Sequence, residues 1–178
     1  PVWIPIAKNS GSGTGNDNMT GSGKALSFSR DGDHLYFGTT TGALFRIDNI
    51  SRIATRGESD TLAMEVGRPT SPVVVKRIAV FPGNLAIMGI AVDPNDANNV
   101  VVTLANYAGG QNHIYRSTNA LSLTTSTGLN GFQSIQGTLP GFPIYDAVID
   151  MTLKDRITIG TENGVWYCTD GFSSSVPT

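Results

Sequence analysis

A pattern of short strands and turns occurs three times in this sequence, and the repetition limits the possible folds more than any other feature. The three segments are "LSFSRDGDHLYFGTTTGALFRID" at 26–48, "IAVDPNDANNVVVTLANYAGGQNHIYRSTN" at 90–119 and "AVIDMTLKDRITIGTENGVWYCTD" at 147–170. Each begins with an apolar strand, passes through a polar turn into a second apolar strand, and reaches a third strand after a glycine-containing turn. Such internal similarity is typical of folds built from repeated units.

A further strand stands before the second and the third segment, "VVVKRIAVF" at 73–81 and "FQSIQGTLP" at 132–140. Each unit then has four strands, which is the content of a β-propeller blade. The innermost strand of a blade touches both neighbouring blades and is therefore small and apolar, as are "MGIAVD" (88–93) and "YDAVID" (145–150). A β-sandwich is the alternative, but a sandwich gives no reason to repeat one pattern three times.

The sequence therefore predicts an all-β chain, a β-propeller fragment with about three four-stranded blades visible. Strands are predicted at 2–7, 25–29, 34–38, 43–47, 73–81, 86–92, 99–104, 113–116, 132–135, 144–149, 156–160 and 164–168. The segment 47–66 is the only one whose pattern indicates a helix, and it predicts one or two turns. The second strands of the three units, 35–38, 100–103 and 157–160, are predicted to be equivalent.

The predicted organisation is a single propeller segment over residues 1–178. It comprises an end strand of a preceding blade with a Gly/Ser-rich loop (1–23), a blade (24–82), a second blade (86–137) and a partial blade (143–178). Closed propellers use about four to eight blades. We therefore expect the chain to be part of a longer protein, and the remaining blades of its own longer chain or of another subunit to be its partners.

Composition agrees with a turn-rich β-protein and argues against several functions. Charged residues make up 15% of the chain and glycine contributes 21 residues, whereas about 25% charge is usual. The net charge of −2 gives no basic surface for nucleic acid. No apolar run of about 18 residues occurs, so membrane insertion is not expected.

Metal and cofactor sites are not predicted. Cys168 is the single cysteine, and the histidines and carboxylates do not cluster at zinc-ligand spacing. The stretch "DPNDANN" at 93–99 has Asn98 where an EF-hand loop needs glycine, and Leu104 where it needs glutamate. We predict instead a tight turn in which Asp93 bonds to nearby backbone.

Two short motifs resemble those of known propeller proteins. "CTDGF" at 168–172 resembles the start of an Asp-box (BNR repeat), Ser-x-Asp-x-Gly-x-Thr-Trp, which lies between the outer strands of sialidase-like and sortilin-like propellers, and "STNALS" at 117–122 looks like a degraded copy. The stretches at 90–107 and 134–150 are similar to secreted bacterial glycosyl-hydrolase-like or sortilin-like propellers exported by type IX secretion. The resemblance covers about 24–172, although the Asp-box lacks its tryptophan. It implies a secreted or cell-surface location.

In a blade, the turn between the second and third strands lies on the same face as the segment that leads into the innermost strand. Candidate ligand-binding residues on that face are Tyr107, Tyr145, Asp146, Glu162 and Asn163. Aromatic rings beside amides and carboxylates can stack on and hydrogen-bond to a sugar, and loops on a rigid scaffold often carry sites. The sequence thus predicts a noncatalytic scaffold or binding segment whose ligand is a glycan or a protein.

A glycoside hydrolase portion is the alternative function. Xyloglucan-cleaving propellers carry an acid in a "Thr-Asp-x-Gly-Gly" turn, and "TENG" at 161–164 resembles it, which makes Glu162 the candidate catalytic carboxylate. Glycosidic cleavage needs two carboxyl groups, about 6.5–9.5 Å apart for inversion or about 5–5.5 Å for retention. Asp146 is the other carboxylate expected nearby, and an aspartate there is typically a turn acceptor. We therefore expect no catalytic residue in this segment.

Overall fold

The computed structural model describes residues 6, 19, 21–52, 73–107 and 110–173. This part of the chain consists of short strands joined by turns. The strands are β1 (Gly23–Phe28), β2 (His34–Thr39), β3 (Ala43–Asp48), β4 (Val74–Val80), β5 (Ile87–Val92), β6 (Val100–Leu104), β7 (Ile114–Ser117), β8 (Gln133–Ser134), β9 (Ile144–Ile149), β10 (Ile157–Thr161) and β11 (Gly164–Cys168). Single turns of 3-10 helix occur at Ile50–Arg52, Pro82–Asn84 and Ala120–Ser122. No helix of the described residues is long and apolar enough to cross a membrane.

The strands form three antiparallel sheets, in the orders β1-β2-β3-β4, β5-β6-β7-β8 and β9-β10-β11. The predicted all-β propeller fragment is confirmed, and we call the sheets blades 1, 2 and 3. Blade 3 has three strands within the described residues. The strand predicted at 2–7 lies outside them apart from residue 6. Most of the short helix predicted within 47–66 also lies outside the described residues, and the described part contains one 3-10 turn.

The second strands β2, β6 and β10 are equivalent, as the repeat predicts. Each is paired on one side with the first strand of its own blade and on the other side with the third strand. The matching cross-strand triples are Ala25–Gly38–Leu44, Gly89–Thr103–Ile114 and Asp146–Gly160–Val165. Equivalent positions in the three blades can therefore be compared directly.

Strand β8 is shorter than the sequence predicts. It spans only Gln133–Ser134, whereas the alternating pattern predicts a strand over 132–135. The reason is local, because Gly131 and Gly137 adopt positive φ on either side of it and turn the chain out of the sheet. Phe132 and Ile135 nevertheless remain buried beside the strand.

Two apolar clusters of the core lie between blades, and another, which includes Met19 and Phe45, lies on the face of blade 1 turned away from blade 2. One apolar cluster fills the space between blades 1 and 2 and includes Tyr36, Phe81 and Tyr115. A second fills the space between blades 2 and 3 and includes Ile114 and Ile157. Every residue of β6 is buried, because blade 2 has a neighbour on each side. This explains why β6 reads as a continuous apolar run, "VVVTL".

Glycine at two positions lets successive blades approach closely. A Cβ at Gly38 in blade 1 would lie 2.4 Å from Cγ2 of Ile87, the first residue of β5 in blade 2. A Cβ at Gly89 in blade 2 would lie 2.8 Å from Cα of Asp146 in blade 3. Neither distance leaves room for a methyl group.

Replacing Gly38 with alanine is expected to lower the free energy of unfolding by about 1–3 kcal/mol, because the added methyl group overpacks the interface between blades 1 and 2. Urea unfolding followed by circular dichroism measures the change. Gly141→Ala is the control, since no atom of the described residues lies within 4 Å of a Cβ at this exposed glycine. Equal midpoints for both variants would show that the blades are not packed this closely.

Candidate functional site

One edge of the three blades carries the turns between second and third strands. We call this edge the rim, formed by the described residues of 39–42, 81–86, 105–113, 139–146 and 161–164. The N–H of Phe81 donates to the carbonyl of Gly42 at 2.9 Å, which joins the first turn to the segment that leads into β5. A Cβ at Gly83 would lie 3.4 Å from Cγ of Gln111. The segment that leads into β5 therefore lies directly beside the turn after β6. The rim is therefore continuous from blade 1 to blade 2.

A hydrogen bond between two candidate residues extends the rim to blade 3. The hydroxyl of Tyr107, in the turn after β6, donates to Oε2 of Glu162, in the turn after β10. These residues are 55 positions apart in the sequence. Both residues are exposed, and Tyr107 is 69% exposed. The structure thus brings together an exposed aromatic ring and a carboxylate that the repeat places on one edge.

The backbone of each turn fixes these two side chains. Asn106 adopts a positive φ of 85°, a conformation that asparagine tolerates better than most residues, and this sets the direction of the next residue, Tyr107. In the other turn Thr161 Oγ1 accepts the N–H of Asn163 at 3.1 Å and donates to the carbonyl of Gly164 at 3.0 Å. Asn163 is exposed at the tip, next to Glu162.

His113 is a rim residue whose role sequence reasoning missed. Its ring is fully buried, and Nε2–H donates to the carbonyl of Asn106 at 2.7 Å. Its backbone N–H donates to Oε1 of Gln136 at 2.8 Å, and among the described residues no hydrogen-bond partner reaches Nδ1. His113 therefore holds the peptide that precedes Tyr107. The only signal in the sequence is a histidine directly before an apolar strand, which does not indicate this contact.

Tyr145 and Asp146 lie on β9 and do not join the Tyr107–Glu162 pair. Tyr145 is exposed, yet no hydrogen bond or ring contact connects it to that pair within the part of the chain that the structure describes. Asp146 Oδ1 accepts the N–H of Ala147 at 2.9 Å and lies 2.8 Å from where a Cβ of Gly89 would be. Asp146 is thus bound to its own strand and lies close to blade 2.

The opposite edge of the blades carries the polar turns between first and second strands. Asp93 Oδ1 accepts the N–H of Asn95 at 2.8 Å, and Oδ2 accepts Nδ2 of Asn99 at 3.0 Å. The predicted tight turn is confirmed. Across the described ranges, no group of three or more His, Cys, Asp or Glu side chains is placed to hold a metal ion.

Two buried arginines link neighbouring blades, a role that the local sequence pattern does not indicate. Arg46 and Arg116 occupy equivalent places on β3 and β7, since Arg46 pairs with Tyr36 and Arg116 with Val101. Arg46 Nη1 donates to the carbonyl of Ala120 in blade 2. Arg116 Nη1 donates to the carbonyl of Gly171 in blade 3. Each guanidinium therefore reaches the segment after the third strand of the next blade, and both arginines serve the fold rather than the rim.

Asp48 completes the first of these links. Its carboxylate accepts Nε of Arg46 at 2.7 Å and Nη2 at 3.0 Å, and it lies 2.8 Å from Nδ1 of His34. Burial acts to raise the pKa of Asp48, but the hydrogen bonds from Arg46 and His34 outweigh it and hold the pKa below its ordinary value. The carboxylate is therefore ionised and paired at neutral pH.

Comparison with known proteins supports the fold and leaves the activity open. No protein-family model and no curated protein sequence matches the chain. A GH74 enzyme of Niastella koreensis is similar in structure, with a TM-score of 0.55 and 14% identity over 85% of this chain and 22% of that one. The Cps50 (Swd1) β-propeller domain of Myceliophteria thermophila is also similar, with a TM-score of 0.51 and 11% identity over 90% of this chain and 38% of that one.

A GH74 xyloglucanase of Xanthomonas campestris also matches, with a TM-score of 0.48 and 16% identity over 86% of this chain and 20% of that one. The chain spans about a fifth to two fifths of the length of these solved structures. At such low identity the similarity shows architecture alone. The described residues therefore form three blades of a β-propeller.

Proposed function

We propose that this propeller segment is a noncatalytic binding module that contacts a glycan through its rim, in a secreted or cell-surface protein. The observation that supports this most directly is the Tyr107–Glu162 pair. The ring of Tyr107 is exposed and can lie against the apolar C–H face of a sugar. Its position is fixed by Glu162 at the hydroxyl and by the Asn106 peptide, which His113 holds. A ring held in place in this way loses little conformational entropy on binding.

Polar groups beside the ring suit the hydroxyls of a sugar. Glu162 Oε1 takes no part in the bond to Tyr107 and can accept from a sugar hydroxyl. The side-chain amide of Asn163, next to it at the exposed tip, can donate and accept. An aromatic surface with adjacent acceptors and donors is the usual composition of a ligand site.

Catalysis within this segment is not part of the proposal. Cleavage needs a carboxylic acid and a second carboxylate that flank the scissile bond. Asp146 and Glu162 are the only carboxylates in the sequence of the rim, and Asp146 is occupied by the N–H of Ala147 beside Gly89. Glu162 is exposed and accepts the hydrogen bond of the Tyr107 hydroxyl.

The second candidate function is a portion of a glycoside hydrolase in which Glu162 supplies one carboxylate. The fold similarity to a GH74 enzyme favours it. In that case the partner carboxylate belongs to a blade outside the described residues, and the Tyr107 hydroxyl orients the Glu162 carboxylate through their hydrogen bond. The two functions differ in whether bound glycan is cleaved.

Replacing Tyr107 with alanine removes the aromatic surface against which the sugar lies. We expect glycan binding to weaken about tenfold or more, which corresponds to about 1.4 kcal/mol of binding free energy for each factor of ten. Isothermal titration calorimetry with xyloglucan and β-glucan oligosaccharides measures the change. Tyr107→Phe keeps the ring and is expected to lose less. Tyr167→Ala is the matched control, because Tyr167 is also 69% exposed but lies on β11 away from the rim.

Product analysis on the same oligosaccharides separates the two functions. Binding without turnover, retained in Glu162→Gln, supports the binding module. Turnover by the parent chain that disappears in Glu162→Gln would replace the binding module with the hydrolase. Absence of binding to every glycan tested would remove both.

A further inference from the structure

Asparagine stands directly before glycine at two places in the sequence, Asn130–Gly131 and Asn163–Gly164. Asparagine is a thermolabile residue, and it is most reactive before glycine, because glycine has no Cβ to shield its backbone nitrogen. That nitrogen attacks Cγ of the asparagine, and the side-chain amide is lost as ammonia. The structure places the two pairs in different surroundings, and these surroundings decide which pair can react.

Asn130 lies between β7 and β8, where hydrogen bonds hold its side chain in place. Its Nδ2 donates to the carbonyl of Ile78 at 2.9 Å and to the carbonyl of Thr124 at 2.8 Å. The next residue is crowded, since a Cβ on Gly131 would lie 3.1 Å from Oδ1 of Asn119. The side chain of Asn130 therefore cannot turn towards the nitrogen of Gly131 unless both of its hydrogen bonds break.

Asn163 is exposed at the tip of the hairpin that joins β10 to β11. Its backbone N–H donates to Thr161 Oγ1 at 3.1 Å, but its side-chain amide makes no hydrogen bond within the part of the chain that the structure describes. No described atom lies within 4 Å of a Cβ on Gly164. The pairing of Thr161 with Gly164 ends the strand pair, and such ends open more readily than interiors. The side chain of Asn163 can therefore reach the nitrogen of Gly164 after a local change in the turn.

We propose that Asn163 is a modification site, at which the rim gains a negative charge by spontaneous deamidation. The nitrogen of Gly164 forms a bond to Cγ of Asn163, and the bond between Cγ and Nδ2 breaks as ammonia leaves with the proton of the attacking nitrogen. The product is a cyclic imide. Water then adds to either carbonyl carbon of the imide and opens the ring, which yields aspartate or isoaspartate at position 163. No oxidant or reductant takes part.

The reaction places a second acid beside Glu162 on the rim. A neutral amide that donates and accepts hydrogen bonds becomes a carboxylate that only accepts them, and the formal net charge of −2 becomes more negative by one. The isoaspartate product also lengthens the backbone of the turn that carries Glu162. If the rim binds glycan, as proposed above, the hairpin tip loses the donor that it offers to a sugar hydroxyl. This consequence rests on the proposed function, whereas the modification itself does not.

Peptide mapping by mass spectrometry tests the modification on the purified 178-residue chain, incubated at neutral pH in water enriched in heavy oxygen. We expect the peptide that contains Asn163 to take up one heavy oxygen atom and to yield both aspartate and isoaspartate. Asn130 should convert about tenfold more slowly or less, because two hydrogen bonds must break first. In denaturant the two sites should convert at similar rates. Equal rates in the folded chain, or no conversion at Asn163, would overturn the proposal.

Asn163→Gln is the matched control for the reaction. Glutamine keeps the amide, but its longer side chain would have to close a larger ring, which forms more slowly. Conversion at position 163 should therefore be lost in this variant, while the rate at Asn130 stays as in the parent. Circular dichroism checks that the variant is folded, which is expected because Asn163 is exposed. If glutamine converts as fast as asparagine, the nitrogen of Gly164 is not the attacking group.

Calorimetry with the xyloglucan and β-glucan oligosaccharides tests the consequence for the ligand separately. Asn163→Asp reproduces the aspartate product, and it should bind about threefold to tenfold more weakly than the parent, since one hydrogen-bond donor is lost. Asn163→Gln keeps a donor and should lose less. Equal binding by parent and Asn163→Asp would contradict the effect on the ligand. A parent chain that binds no glycan but deamidates at Asn163 would remove the proposed function and confirm the modification site.

Discussion

Replacing Arg46 with methionine is expected to lower the free energy of unfolding by about 3–5 kcal/mol, as is typical when one partner of a buried ion pair is removed. The Arg46 side chain is only 3% exposed and that of Asp48 only 12%. Methionine fills part of the space but leaves Asp48 without its two guanidinium hydrogen bonds. It also leaves the carbonyl of Ala120 without the donor that ties blade 1 to blade 2.

The cost of this substitution should depend on pH in a defined direction. In the parent chain the pKa of Asp48 lies below its ordinary 3.8, so the stabilisation is complete above that pH and is lost as pH falls through the folded-state value. A protonated Asp48 needs no guanidinium partner. The difference between parent and Arg46→Met should therefore be largest near neutral pH and shrink below about pH 4.

Arg156→Met is the matched control for Arg46→Met. Nη1 of Arg156 lies 3.8 Å from Oδ2 of Asp150, and the Arg156 side chain is 41% exposed. Exposed ion pairs contribute about 0–1 kcal/mol, so urea unfolding should show only a small decrease in the free energy of unfolding of Arg156→Met. If both substitutions cost the same, the buried arginine does not act as a link between blades.

The strand pattern could be predicted because it depends on neighbours in the sequence. Apolar alternation and glycine or aspartate turns mark each strand, and β2, β6 and β10 lie where the repeat places them. The links made by Arg46 and Arg116 depend on residues 74 and 55 positions away. An arginine inside a strand does not show which distant carbonyl it will reach, so local pattern cannot reveal such a contact.

The candidate site was predictable to the extent that the repeat places turns. Equivalent turns fall on one edge, so Tyr107 and Glu162 could be assigned to the same rim. Tyr145 and Asp146 were assigned to the rim from the segment that leads into the innermost strand, and within β9 the pairing with β10 fixes their directions. The support of the Tyr107 turn by His113 depends on a side-chain contact with the Asn106 carbonyl, which spacing alone does not specify.

Phe81→Ala is expected to lower the free energy of unfolding by about 3–5 kcal/mol, the usual range for removing a buried phenyl ring. Phe81 follows β4 and stands where the chain passes from blade 1 to blade 2. Its ring centroid lies 5.0 Å from that of Tyr115 and 5.3 Å from that of Phe132. Both geometries are tilted or edge-on, which adds about 0.5–1.5 kcal/mol per pair to the burial itself.

The loss of stability in Phe81→Ala should arise from the cavity left between blades 1 and 2 rather than from a change in backbone hydrogen bonds. The N–H of Phe81 keeps its bond to the carbonyl of Gly42 whatever the side chain, so Phe81→Leu, which refills most of the space, should recover much of the stability. Leu153→Ala is the control, because Leu153 is an exposed aliphatic residue outside this cluster. Urea unfolding should place the midpoints in the order parent, Phe81→Leu, Phe81→Ala, with Leu153→Ala close to the parent. A Phe81→Ala protein as stable as Leu153→Ala would mean that these rings do not hold blades 1 and 2 together.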